Sequence, residues 1–117
     1  MKIGITGQDG FIGYHLSQTI KYKFEKYKIV PFEKSFLGNS KLINSFVSSC
    51  DVIVHLAGVN RANSNEEVYT SNIQINNALK EALINSSFSG HLIFASSYQE
   101  NSDSLYGKAK QESRVFL

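Results

Sequence analysis

Lys2-Ile3-Gly4-Ile5-Thr6-Gly7-Gln8-Asp9-Gly10-Phe11-Ile12-Gly13-Tyr14 is a short apolar run followed at once by three glycines at three-residue spacing. An amphipathic pattern begins where the glycines end. Strand, glycine turn, helix is the order that a dinucleotide-binding βαβ unit requires. Gly7 would make the tight turn without a Cβ clash, Gly10 would admit a pyrophosphate to backbone N–H groups, and Gly13 would let the helix lie close on its strand. The helix start would add unpaired N–H groups and a partial positive charge. The spacing is GxxGxxG rather than GxGxxG, so a plain βα turn with a spare glycine is the competing reading.

Outward from this loop, Phe11, Ile12, Leu16 and Ile20 fall at helical spacing, predicting a helix over residues 10–22 with those residues as its apolar face. Lysines 21, 23, 26 and 28 alternate with Tyr22, Phe24 and Tyr27. Basic and aromatic residues together could suit nucleic acid, but a solvated helix end with lysine stems over apolar surface is the preferred reading. Residues 28–33 read as a second strand, short or edge-like because Pro31 cannot donate to a ladder. Residues 34–40 read as loop, and Leu42, Ile43, Phe46 and Val47 as a short helical stripe. No separate strand is expected between Glu33 and Ser49.

Residues 51–56, Asp-Val-Ile-Val-His-Leu, have the apolar character of a central parallel strand. Ala57 and Gly58 follow, small enough to let a ligand approach the strand's carboxyl end. Ser64 and Glu67 fit a capping box, so a helix should run to about residue 86 with Val68, Ile75, Leu79, Ala82 and Leu83 as its stripe. Residues 91–95 read as another strand, ending at Ser96 and Ser97. A helix should start near Leu105, capped by Asp103 or Ser104. The whole predicts one domain over residues 1–117: an α/β, doubly wound parallel sheet.

A chain of 117 residues with net charge +2 is too weakly basic to argue for nucleic acid or an acidic membrane surface. No apolar run approaches the roughly 18 residues of a membrane span. No signal peptide is visible, and one cysteine, Cys50, excludes an internal disulfide. A cytoplasmic location is the expectation. His15, His55 and His91 are scattered, so structural roles are expected and no metal site. Cys50, next to an acid and without a local base, is expected to be inert.

Tyr106 and Lys110 are four apart and share a helical face. An ammonium near a phenol favours the phenolate and makes proton transfer feasible near neutral pH. Read alone, the two would be a surface pair. Ser96 and Ser97, at a strand end where ligands bind, could donate to a carbonyl oxygen. Asn72, early in the long helix, would add a polar group at the same edge, or simply face solvent.

The sequence resembles the extended short-chain dehydrogenase/reductases, the NAD-dependent epimerase/dehydratase family. The similarity rests on residues 6–13 (TGQDGFIG), 51–58 (DVIVHLAG), Asn72, residues 94–97 (FASS) and 106–110 (YGKAK), in order along nearly the whole chain. It implies a Rossmann-like fold and a nicotinamide cofactor. The implied catalytic set is Ser97 on the substrate oxygen (Ser96 as fallback), Tyr106 as general acid/base, Lys110 on the nicotinamide ribose and on the Tyr106 pKa, and Asn72 in support. The implied cofactor-binding set is Gly7, Gln8, Asp9, Gly10, Phe11, Ile12, Gly13, Glu33, Lys34, Leu56, Ala57, Gly58, Tyr106 and Lys110.

Residues 55–61, His-Leu-Ala-Gly-Val-Asn-Arg, and the gap of eight residues between Ser97 and Tyr106 are similar to capsular-polysaccharide reductases of UDP-linked 4-keto-6-deoxy amino sugars. Tyr98-Gln99 follows Ser97 where 4,6-dehydratases carry Asp-Glu, which disfavours dehydration. Glu33 stands where an acid would select NAD, and Lys34 where a base would accept a 2′-phosphate. The resemblance favours NADP over NAD. It implies a nucleotide-sugar substrate and allows a homodimer in the complete enzyme. Family members continue past the tyrosine helix, so this chain is expected to stop before the substrate-binding region and to be inactive alone. A nucleotide-sugar epimerase fragment and a non-catalytic NAD(P)-binding module are the alternatives.

Overall fold

The computed structural model describes residues 1–59, 63–95 and 105–116, the side chains of residues 105, 106, 113, 115 and 116 excepted. Four parallel strands form one sheet: β1 (Lys2–Thr6), β2 (Lys28–Val30), β3 (Val52–His55) and β4 (His91–Phe94), in the order β2-β1-β3-β4. Ile3 pairs with Ile29 on one side and with Val52 on the other, and Val54 pairs with Ile93. The first crossover leaves β1 in one direction and the chain returns to pair β3 on its other side. This reversal between β1 and β3 is the topological switch point, outside whose carboxyl ends ligands bind in open α/β sheets.

The helices are α1 (Phe11–Lys23), α2 (Ser40–Ser48), α3 (Asn65–Asn85) and α4 (Leu105–Phe116). One face of the sheet packs Ile53 and Leu92 against Ile43, Phe46 and Val47 of α2 and Leu79 and Ala82 of α3. The other packs Ile3, Ile5, Val52 and Val54 against Leu16 and Ile20 of α1. Cys50 is buried in the first core, and its thiol is pushed up to about 11 by burial and by Asp51.

Three expectations are corrected. Residues 34–40 are not simply loop: Lys34–Gly38 form a 3-10 helix whose Phe36 and Leu37 pack on the first core. β2 ends at Val30 rather than at residue 33, because Pro31 has no N–H to continue the ladder. The sheet-facing side of α1 is not Phe11 and Ile12, which are exposed, but Gly13, Ser17 and Ile20, with Leu16 partly buried. Gly13 sets that face. A Cβ there would stand 2.1 Å from the Gly7 carbonyl oxygen, so the helix can cross the turn this closely only at a glycine.

The capping box of α3 forms, in a modified way. Ser64 Oγ accepts from the Glu67 N–H at 3.1 Å, while Glu67 Oε2 accepts from the N–H of Asn63, one residue before the cap.

Candidate functional site: a cleft at the switch point

The loop after β1 turns sharply at Gly7, whose φ of +78° is the left-handed region that glycine tolerates. The Gly10 N–H closes the turn on the Gly7 carbonyl at 3.0 Å, and α1 begins with no side chain capping it. The first-turn N–H groups of α1 therefore face outward without a side-chain acceptor, as an anion site requires. A Cβ at Gly10 would meet only the Gly7 oxygen, at 3.3 Å. Internal packing explains Gly7 and Gly13 and does not demand Gly10. A ligand lying against the loop would.

This loop and the segment after β3 enclose a cleft of about 240 Å³ lined by residues 7–10 and 56–59 together with Phe32, Lys34, Leu37 and Ile75. Of the expected cofactor-binding residues, Gly7, Gln8, Asp9, Gly10, Lys34, Leu56, Ala57 and Gly58 come together there. Gln8 donates through Nε2 to the Phe32 carbonyl at 2.8 Å, tying the glycine loop to the end of the β2 segment. Phe11 and Ile12 turn their side chains to solvent and offer only their backbone. Glu33 is exposed and does not line the cleft, whereas Lys34 does. The acid reads as cofactor-contacting from position alone; its neighbour Lys34, itself exposed, stands at the rim of the cleft at the start of the 3-10 helix. A larger hollow of about 450 Å³ opens at the amino ends of β3 and β4, beside Cys50, Asp51 and Gly90. It lies at the edge opposite the glycine loop.

Asn72 does not face solvent; it is 1% exposed. Its Oδ1 accepts from the Val59 N–H at 3.1 Å, and its Nδ2 donates to the carbonyls of Val59 at 2.5 Å and Val68 at 2.8 Å. The amide thus clamps the segment leaving β3. Lys110 is 4% exposed; its Nζ donates to the Ala95 carbonyl at 3.4 Å and lies 5.2 Å from the centre of the Phe94 ring. Burial lowers its ammonium pKa. A Cβ at Gly58 would stand 3.0 Å from Asn72 Oδ1 and 3.2 Å from Lys110 Nζ, so both residues converge on this one point of the cleft wall. Tyr106 falls in the first turn of α4, but its side chain lies outside the described residues, as do Ser96, Ser97, Asn60 and Arg61.

His55 is a buried core histidine, 1% exposed, in line with the structural role expected for it. Two contributors, Asn76 and Tyr69, escaped the sequence reading; Asn76, beside His55, is also 1% exposed. Asn76 stands four residues after Asn72 in an otherwise apolar stripe, and that spacing was the available signal. Tyr69 on α3 donates to Glu112 Oε2 on α4 at 2.5 Å, and this bond to the carboxylate raises the Tyr69 pKa. Among the described residues no group of His, Cys, Asp or Glu could hold a metal ion, and no helix is long and apolar enough to cross a membrane.

Residues 3–115 match the NAD dependent epimerase/dehydratase family. The chain is 34% identical, over 118 aligned residues, to the UDP-2-acetamido-2,6-beta-L-arabino-hexul-4-ose reductase of Pseudomonas aeruginosa, with all of this chain and 31% of that protein aligned. In fold it is similar to the Pseudomonas aeruginosa protein RMD, solved with NADPH (TM-score 0.80, 19% identity, 97% of this chain and 47% of that one). It is similar also to the UDP-glucose 4-epimerase of Bifidobacterium longum, solved with NAD+ and UDP (TM-score 0.77, 15% identity, 98% and 47%). The chain therefore spans about a third of that reductase's length and about half of these solved structures. A glycine loop, a switch-point cleft and a family match over nearly every residue agree: the chain belongs to the NAD dependent epimerase/dehydratase family.

Proposed function

We propose that this chain is the nucleotide-binding part of an NAD(P)-dependent nucleotide-sugar reductase, acting in surface-polysaccharide biosynthesis and taking NADP(H) in preference to NAD(H). The observation that carries the reading is the cleft itself. It joins an uncapped helix start, a glycine that internal packing does not require, and the side of Lys34. These suit a pyrophosphate and a 2′-phosphate respectively. The named activity of the Pseudomonas aeruginosa relative supports a UDP-linked keto sugar as the substrate class.

In the complete enzyme the glycine loop and Lys34 would hold the dinucleotide, whose nicotinamide would supply or accept the hydride. Tyr106 delivers the matching proton to the carbonyl oxygen, or removes it in the reverse direction. Ser97 donates a hydrogen bond to that oxygen and orients it. Lys110 holds the ribose, and its charge favours the Tyr106 phenolate. Asn72 holds the backbone of Val59 at the cleft.

Calorimetric titration with NADPH and NADH tests the binding half. NADPH is expected to bind more tightly, and Lys34→Ala to reduce that advantage by about tenfold, the scale of one charge-assisted contact. Equal affinities in the unaltered chain would refute the assignment to Lys34. In an enzyme that includes the substrate region, Tyr106→Ala is expected to abolish turnover and spare cofactor binding. The 117 residues alone are expected to show no turnover, and measurable reduction of a UDP-keto sugar by them would overturn that.

A further inference from the structure

We propose that Asn76 is a positioning residue for the cleft: acting through His55 and Thr6, it holds the wall formed by residues 56–58. Its consequence for affinity rests on the dinucleotide reading above; its geometry does not. Thr6, His55 and Asn76 are each 1% exposed. Thr6 Oγ1 accepts from the Ala57 N–H at 3.1 Å and from the Leu56 N–H at 3.2 Å. With both lone pairs engaged, its single proton points to the third neighbour, His55 Nδ1, at 2.7 Å. Nδ1 is then an acceptor and Nε2 carries the imidazole proton, which it donates to Asn76 Oδ1. The amide oxygen has no proton to give, so the same tautomer follows from the Asn76 end.

The chain of donors runs in one direction, from the Ala57 N–H to Thr6, His55 and Asn76. Leu56 also donates to the Thr6 carbonyl, but Ala57 has passed the end of the ladder, and its N–H is held by the Thr6 hydroxyl. A side chain on α3 that does not line the cleft thereby fixes the backbone of a residue that does. The Phe94 ring, stacked on His55 at 5.7 Å, closes the third side of the imidazole and keeps it in this orientation.

The test uses the 117-residue chain with Asn76→Leu, Thr6→Val, the double variant and Thr6→Ser. Long-range 1H–15N spectra are expected to show His55 as the Nε2–H tautomer at pH 7. Amide exchange at Ala57 is expected to quicken at least tenfold in Asn76→Leu and in Thr6→Val. NADPH affinity is expected to fall about tenfold in each, the double variant to be no worse than either, and Thr6→Ser to recover the original values. An Nδ1–H tautomer or an imidazolium at pH 7 would overturn the proposal. So would unchanged Ala57 exchange in either folded variant, or losses that add in the double variant. Should Asn76→Leu not fold, the Thr6→Val and Thr6→Ser pair decides the matter. If the unaltered chain binds no NADPH while tautomer and exchange come out as expected, the dinucleotide reading fails and the relay stands.

Discussion

At Gly10 and Gly13 the same chemical change should separate two kinds of glycine. Gly13→Ala puts a methyl 2.1 Å from the Gly7 oxygen and 2.7 Å from Gln8 Cα, both backbone atoms that cannot rotate away. Overpacking of this kind costs about 1–3 kcal/mol or more, so urea denaturation should show a clear loss of stability together with lost NADPH binding. Gly10→Ala meets one atom at 3.3 Å. It should leave stability within about 1 kcal/mol of the original while weakening NADPH at least tenfold. Unchanged affinity in Gly10→Ala would remove the cofactor as the reason for that glycine. His55 makes a separate prediction. Burial lowers its pKa from 6.5 to about 4, opposed by the bond to Asn76 and aided by the Lys110 charge. Between those values the unfolded chain binds the extra proton and the folded one does not. This contribution is therefore complete above pH 6.5 and is lost as the pH falls toward 4, by roughly 3 kcal/mol. Chemical denaturation at pH 7 and pH 4.5 should show that loss in the unaltered chain and a smaller one in His55→Gln.

The helices show what a sequence pattern reveals and what it conceals. α3 begins at its capping box and ends one residue from the expected place, because caps are local chemistry written in adjacent residues. Ser64→Ala should cost about 1 kcal/mol, with fraying confined to the first turn of α3 by amide exchange. The buried face of the same helix was only partly legible. Val68, Leu79 and Ala82 follow the apolar stripe, but Asn72 and Asn76 complete it. Buried amides look like surface residues until their partners are known, and those partners, Val59 and His55, lie 13 and 21 residues away. α1 failed for a related reason. Its apolar residues suggested one face, while the close crossing at Gly13 imposed another. The strands and their parallel order were readable from apolar runs and βα alternation. So were the glycine turn and the convergence of Asn72 and Lys110 on one edge. That Lys34 and not Glu33 lines the cleft was not, because it depends on a 3-10 turn that periodicity does not register.

For the molecule as a whole, the two faces of the sheet are unequally covered. α2 and α3 cover one, and α4 packs on α3; among the described residues α1 is the helix on the other, over β1 and β2. Ile93 points to that second face beside its register partner Val54 and remains 52% exposed. β4 is also the outer strand of the described sheet, with no partner beyond it among the described residues. An outer strand presents unpaired N–H and C=O groups, and an exposed β-branched residue on it adds apolar surface for a second chain. Among the described residues Ile93 belongs to neither core cluster, so a polar substitute should be tolerated. The 117-residue chain is accordingly expected to self-associate at micromolar concentrations, and Ile93→Lys to shift it toward monomer while changing stability by less than about 1 kcal/mol. Sedimentation velocity over a concentration series reads both species directly. A chain that stays monomeric throughout the series, or an Ile93→Lys variant that associates as strongly as the original, would show that this strand is protected by some other means. A rise in association together with a large loss of stability would instead mean that Ile93 is held in the core more firmly than its exposure indicates.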